Sequence, residues 1–221
     1  MPRLKIGLPK GSLQEPTFAL FARAGFHFKS TGRSYQPFVD DPELEPILLR
    51  PQEIPGYVEG GVLDCGLTGA DWIADAGAQL HELCELGYSK VTNNPIRVVL
   101  AVHELSPVMR LEDLAGRRIA TEYMGLTQKA LAERHVEAKV EFSWGADEVK
   151  VPDLVDAIVV NTETGSSLKA HNLRIVETLL TSTPRFVAGD EAMSDPWKRT
   201  KMEGLAILLT GAMAAGVLVG L

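Results

Sequence analysis

The chain of 221 residues is long enough for one large domain or two lobes with separate cores, and its 45% hydrophobic and 23% charged content is that of an ordinary globular protein. A formal net charge of -7 argues against a nucleic-acid backbone as partner, which would call for a basic stripe, although local Arg and Lys can still hold an anionic ligand. Cys65 and Cys84 lie in apolar contexts with no His pattern nearby, so they read as reduced structural thiols in a cytoplasmic protein rather than as metal ligands.

The first residues carry no apolar signal-peptide core. Residues 4–8 read as a strand, 9–12 as a turn and 14–24 as a helix closed by Gly25. A polar, proline-flanked loop is expected over 37–46, a short strand over 47–50, and a helix over 52–59 stopped by Gly60 and Gly61. Residues 63–67 read as a strand feeding a loop of Thr68, Gly69, Ala70 and Asp71, with Asp71 placed to open a helix. A second lobe is expected after the 92–95 loop, with strands at 97–102, 118–121, 139–142, 157–160 and 175–180. Helical segments are expected at 111–116, 127–134, 146–149 and 168–173, and a last helix at 202–215. Alternating strands and helices predict an α/β fold with mainly parallel sheets. The lobes expected are 1–91 with 179–221, and 92–178. Residues 204–221 have no charge, but their Gly and Ala content and lack of flanking basic residues argue against a membrane span. Burial against a partner subunit or a further domain is expected instead, and with it a homo-oligomer, at least a dimer.

The strand at 157–160 runs into Thr162, Glu163, Thr164, Gly165, Ser166 and Ser167, just before a helix. Small residues let backbone N–H groups approach an anion and hydroxyls add donors, so this is a candidate phosphate cradle. Thr, Ser and Gly also make plain turns and caps. The loop is neither a Walker loop, since no Lys follows Gly165, nor a three-glycine dinucleotide loop. Lys10 and Arg50 fall at strand ends, where open α/β sheets bind ligands. Arg97, at a strand start, fits that rule less well, and Arg33 lies in a polar loop. His27, His81, His103, His135 and His171 show no ligand spacing, so no metal site is expected. No nucleophile elbow is present.

Four ordered blocks then carry a resemblance: residues 8–13 (Leu-Pro-Lys-Gly-Ser-Leu), 54–61 (Ile-Pro-Gly-Tyr-Val-Glu-Gly-Gly), 64–71 (Asp-Cys-Gly-Leu-Thr-Gly-Ala-Asp) and 163–168 (Glu-Thr-Gly-Ser-Ser-Leu). Together they resemble the ATP phosphoribosyltransferase family, whose members catalyse the first step of histidine biosynthesis. The blocks 118–122 and 170–174 also look like that family, and the likeness spans nearly the whole chain.

The resemblance implies two α/β lobes of the periplasmic-binding-protein type II architecture with the active site in the cleft between them. It implies transfer of 5-phosphoribosyl from phosphoribosyl pyrophosphate to N1 of ATP, with Mg²⁺ accompanying the phosphates. By position, residues 162–167 would hold the 5-phosphate of the donor. Lys10, Gly11, Ser12, Arg33, Arg50 and Arg97 would meet ATP or pyrophosphate oxygens, with Lys10, Arg50 and Arg97 catalytic. Thr68, Gly69 and Asp71 would line the opposite wall, and Tyr123 would approach the nucleotide. Two departures stand out: Ser12 where many members carry Arg, and Val160 where the family loop carries an acid. Longer members continue into a histidine-binding regulatory domain, so a long-form catalytic core without that domain is expected. The alternative is a cytoplasmic two-lobe binding module without catalysis, since fold alone does not fix function.

Overall fold

The computed structural model describes residues 2–30, 34–88 and 94–219, with side chains described up to 215. Arg33 and residues 92 and 93 of the 92–95 loop therefore lie outside the described residues. In chain order come β1 (Leu4–Pro9), α1 (Gln14–Arg23), the short β2 (Phe28–Lys29) and β3 (Phe38–Val39), and β4 (Leu44–Leu49). Next are α2 (Ile54–Glu59), β5 (Cys65–Gly69), α3 (Ala70–Ala76) and β6 (His81–Glu85). Then follow β7 (Ile96–His103), β8 (Arg118–Thr121), α4 (Met124–Glu133), β9 (Lys139–Phe142), β10 (Ala157–Thr162), α5 (Ser166–Ala170) and β11 (Leu173–Ser182). Single 3-10 turns at Leu111–Leu114 and Asp147–Lys150 stand where short helices are expected from sequence. Last come β12 (Pro184–Ala188), α6 (Asp190–Ser194) and α7 (Pro196–Val219).

Two compact units result: Met1–Asn94 with Thr183–Leu221, and Pro95–Ser182. The first holds a sheet in the order β4-β1-β5-β12-β6, the second one in the order β9-β8-β10-β7-β11. The two layouts match. Three strands run parallel, and the fourth runs against both of its neighbours. The expectation of mainly parallel sheets is therefore corrected to mixed sheets. Apolar runs reveal strands but carry no direction, and β7 and β12 both start beside the carboxyl end of a neighbouring strand, β10 and β5.

The expected 37–46 loop is also shortened, because β4 starts at Leu44 and takes in Pro46. A proline is tolerated there because β4 is an edge strand, where a missing N–H breaks no second ladder. Next to it, Gly7 and Gly66 face each other across the β1–β5 ladder. A Cβ on Gly66 would stand 2.6 Å from Ile54 Cγ2, and one on Gly7 2.8 Å from Leu63 Cδ1. The paired glycines thus let α2 lie close against the sheet and fix where β1 and β4 deliver their last residues.

Leu4, Ile6, Leu8, Phe21, Leu67 and Phe186 form the first unit's core, closed by Met202, Leu205 and Leu209 of α7. That stripe at helical spacing buries one face of α7, while Ile207 and Leu208 on the same helix are exposed. Among the described residues no helix is long and apolar enough to cross a membrane. In the second unit Val99, Ala101, Ile158 and Leu168 make the cluster beneath α5.

Candidate functional site

In the second unit, β10 runs to Thr162 and α5 begins at Ser166, so only residues 163–165 are loop. The turn depends on Gly165, whose φ of 78° and ψ of 2° are left-handed. Its amide donates to Thr162 Oγ1 at 2.8 Å, and the hydroxyls of Thr164 and Ser166 are 2.9 Å apart. Ser167 Oγ donates to Glu148 Oε1 at 2.6 Å. That bond is the main reason the Glu148 carboxyl lies below the usual carboxylate range, against the opposing effect of burial. Val160 packs on the apolar cluster under α5, so the strand face that could carry an acid is hydrophobic here.

Arg97 lies directly across the ladder from Thr162. Because β7 is antiparallel to β10, the start of β7 is at the carboxyl edge of β10. The misfit of Arg97 with the strand-end rule thus disappears. Tyr123, just past β8, is buried and held from two sides. Thr121 Oγ1 donates to Val159 O at 2.6 Å and accepts the Tyr123 amide at 2.8 Å, while Asn161 Nδ2 donates to the Tyr123 hydroxyl at 2.8 Å. Asn161 and Glu148 are absent from the sequence prediction. One could have been found as a polar residue closing an apolar strand; the other gives no signal outside the fold.

In the first unit, Pro9 and Leu49 are ladder partners, so Lys10 and Arg50 leave adjacent parallel strands at the same edge. The Lys10 amide donates to Leu49 O at 2.7 Å, and its ammonium stands 3.7 Å from the centroid of Tyr35, a cation–π contact. Tyr35 is a further residue that sequence reasoning missed. Gly11 turns the chain at φ +97°, and Gly11 and Ser12 are exposed. Arg50 is exposed, with its amide on Glu53 Oε2 at 3.3 Å. The expected loop at 68–71 takes a different form. Thr68 and Gly69 belong to buried β5, and Asp71 is buried in the first turn of α3. Thr68 donates its hydroxyl inward to Pro51 O at 2.8 Å, tying β5 to the segment after Arg50.

Charge pairing sorts the cations. Arg117, Arg118, Arg134, Lys150, Arg185, Lys198 and Lys201 all meet carboxylates. Lys10, Arg50 and Arg97 have no carboxylate partner among the described residues. Nor, among those residues, does any group of three His, Cys, Asp or Glu stand together as a metal site. Two hollows, of about 250 Å³ beside Glu59, Asp64 and Lys198 and about 370 Å³ beside Arg118, Glu141 and Lys150, contain none of the predicted residues.

A family model described as HisG: ATP phosphoribosyltransferase matches residues 50–211. The ATP phosphoribosyltransferase of Chlorobium luteolum is 56% identical over 218 residues, covering 99% of this chain and 74% of that protein. The enzyme of that name from Pelotomaculum thermopropionicum is 56% identical over 219 residues, covering 99% and 76%. Among solved structures, the ATP phosphoribosyl transferase (HisG:HisZ) complex from Thermotoga maritima aligns with TM-score 0.81 at 24% identity, covering 96% of this chain and 99% of that one. The periplasmic aliphatic sulphonate binding protein SsuA from Escherichia coli aligns with TM-score 0.57 at 17% identity, covering 97% and 73%. These structural likenesses place the fold among the two-lobe, periplasmic-binding-protein type II architectures.

Proposed function

Since the chain belongs to the ATP phosphoribosyltransferase family, we infer that its site residues serve the family reaction in the roles set out below. The reaction moves 5-phosphoribosyl from phosphoribosyl pyrophosphate to N1 of ATP and releases pyrophosphate, opening histidine biosynthesis. The observation that carries the site reading is the hydroxyl-rich loop 162–167, with an unneutralised Arg97 across the ladder from it.

In this reading the loop takes the 5-phosphate of the donor. Ser167 rotates from Glu148 towards a phosphate oxygen, exchanging one charge-assisted bond for another. Departure of pyrophosphate leaves an oxocarbenium-like ribose, and Arg97, Lys10 and Arg50 stabilise the leaving oxygens. No protein nucleophile is needed. Catalysis is mainly positioning, which suits a site built from strand ends and short turns. Tyr123, fixed by Thr121 and Asn161, offers a rigid surface for the nucleotide. Gly11, Ser12 and Arg33 complete the phosphate contacts of the first unit, with Thr68, Gly69 and Asp71 supporting them. Mg²⁺ enters with the substrate phosphates. The enzyme works in the cytoplasm as a homo-oligomer, at least a dimer.

The test is incubation with ATP, phosphoribosyl pyrophosphate and Mg²⁺, following the ultraviolet change of the N1-substituted adenine together with pyrophosphate release. Substrate binding without product would favour a binding module instead.

A further inference from the structure

Lys10 differs from other anchored lysines of the first unit in what anchors it. Lys198 meets Asp64 at 2.7 Å, and Lys201 meets Asp41 and Glu43, each at 2.6 Å. Lys10 instead places its ammonium 3.7 Å from the centroid of the Tyr35 ring. A carboxylate fixes a lysine but cancels its charge and repels any anion that approaches. An aromatic face attracts the ammonium through its quadrupole and brings no net charge. The ammonium carries more donors than one ring face can occupy, so the rest stay available to phosphate oxygens.

The ring is mounted for this contact. The Ser34 hydroxyl donates to Gln36 O at 2.9 Å and accepts the Gln36 amide at 3.1 Å, which closes a tight turn around Tyr35. Pro37, buried, restricts the chain as it leaves that turn. The Tyr35 carbonyl accepts the Leu48 amide at 2.7 Å, on edge strand β4 and two residues before Arg50. Leu48 is in turn the ladder partner of Leu8, two residues before Lys10. The turn is thus pinned at the level of the sheet that delivers both cations. Its ring is 57% exposed, so core packing does not explain its place.

We propose that Tyr35 is a positioning residue for the transfer reaction, its ring holding the Lys10 ammonium ready for the leaving pyrophosphate oxygens without neutralising it. This rests on the role given to Lys10 above. A free lysine loses rotamer freedom when it meets the departing anion. Tyr35 removes part of that loss beforehand, so its contribution appears in the transition state and in kcat. The ring acts through Lys10 and not on the substrate, and the phenol hydroxyl takes no part.

Single-turnover pyrophosphate release and steady-state KM are measured for Tyr35→Phe, Tyr35→Leu, Lys10→Met and the Tyr35→Leu/Lys10→Met double variant. Tyr35→Leu keeps apolar bulk without a ring. It should slow the single turnover about two- to fivefold, the scale of one exposed cation–π contact, with both KM values and the circular dichroism close to parental. Tyr35→Phe should restore the parental rate. Lys10→Met should be slower than Tyr35→Leu, and the double variant no slower than Lys10→Met, because the ring then has no cation to hold. Three results overturn the proposal: Tyr35→Phe as slow as Tyr35→Leu, a raised KM at an unchanged single-turnover rate, or the full Tyr35→Leu loss repeated in the Lys10→Met background. A parental Tyr35→Leu beside a slow Lys10→Met removes Tyr35 and leaves the reading of Lys10 standing. A parental Lys10→Met removes both.

Discussion

Gly165 offers the sharpest handle on the phosphate loop. It caps α5 at φ 78° and ψ 2°. Alanine at this position would find nothing nearer than Ile175 Cδ1 at 3.9 Å, an ordinary van der Waals contact. The cost of Gly165→Ala is therefore conformational and not steric: about 1–2 kcal/mol for a non-glycine residue in the left-handed region. If the loop escapes that strain by leaving its shape, donor affinity should fall roughly 5- to 30-fold, from the relation of 1.4 kcal/mol to each decade. If the loop holds its shape, the same energy should be lost from unfolding stability instead. Gly165→Asn separates shape from bulk, since asparagine visits the left-handed region readily. It should retain most of the donor affinity although its side chain is larger. The assays are equilibrium binding of phosphoribosyl pyrophosphate, KM for each substrate, and denaturant unfolding. ATP KM should hardly change. Equal damage from alanine and asparagine would refute the reasoning, as would an alanine variant unaltered in both binding and stability.

The remaining predictions concern charges and one buried hydroxyl. Arg97→Ala should lower turnover about 100-fold or more, on the scale of losing one transition-state donor, with folding intact by circular dichroism; a near-parental rate of pyrophosphate release would remove Arg97 from the site. Glu148→Gln leaves Ser167 only a weaker, neutral acceptor and removes a negative charge beside the loop, so the donor KM should fall a few-fold, and an increase would show that Glu148 organises the loop for binding. Because the Glu148 carboxyl is held below its ordinary value near 4.5, its bond to Ser167 contributes fully above that pH and is lost as pH falls through the lowered value. The parent should accordingly lose stability more steeply than Glu148→Gln in acid below about pH 4.5, as read by denaturant midpoints. Thr68→Val keeps the shape but strands the Pro51 carbonyl that Thr68 now satisfies, so it should destabilise by about 1–3 kcal/mol; an unchanged midpoint would mean water replaces the bond.

Several elements could be read from residue order alone. β8 and β9 fall at the predicted 118–121 and 139–142, each a short run between turn residues. β6 escaped because His81–Glu85 is an edge strand of mostly polar, partly exposed residues with no period-two signal. β12 escaped for a different reason: its five residues begin with Pro184, which reads as a breaker although it is the first residue of the strand. At the site, what is contiguous in sequence was legible, and what ladder register creates was not. Ser167 meets Glu148 across 19 positions, and Asn161 meets Tyr123 across 38. Neither pairing has a local pattern: the second follows from β8 and β10 being neighbours, and the first from the 3-10 turn at Asp147–Lys150 lying beside α5.

The matching layout of the two sheets makes Arg97 and Arg185 topological counterparts. Arg97 is the ladder partner of Thr162, and Arg185 of Thr68, each on the antiparallel strand beside the carboxyl end of a parallel one. Their electrostatic states differ. Arg185 meets Glu82 at 3.1 Å and Glu85 at 2.8 Å, and its guanidinium also donates to the Thr183 hydroxyl. Its charge is spent on the fold, and the Glu85 carboxyl is drawn below its usual range by Thr183 and then by Arg185. Arg97 has no such partner among the described residues. The distinction matters for a chain of formal charge -7 whose two substrates are polyphosphates. Long-range attraction cannot gather them, so the cations that do must be local and left unneutralised. Lys10, Arg50 and Arg97 meet that condition at the carboxyl edges of their sheets. Arg185, at an equivalent place, does not, which is why position in the fold selects candidates but the carboxylates around each one decide among them.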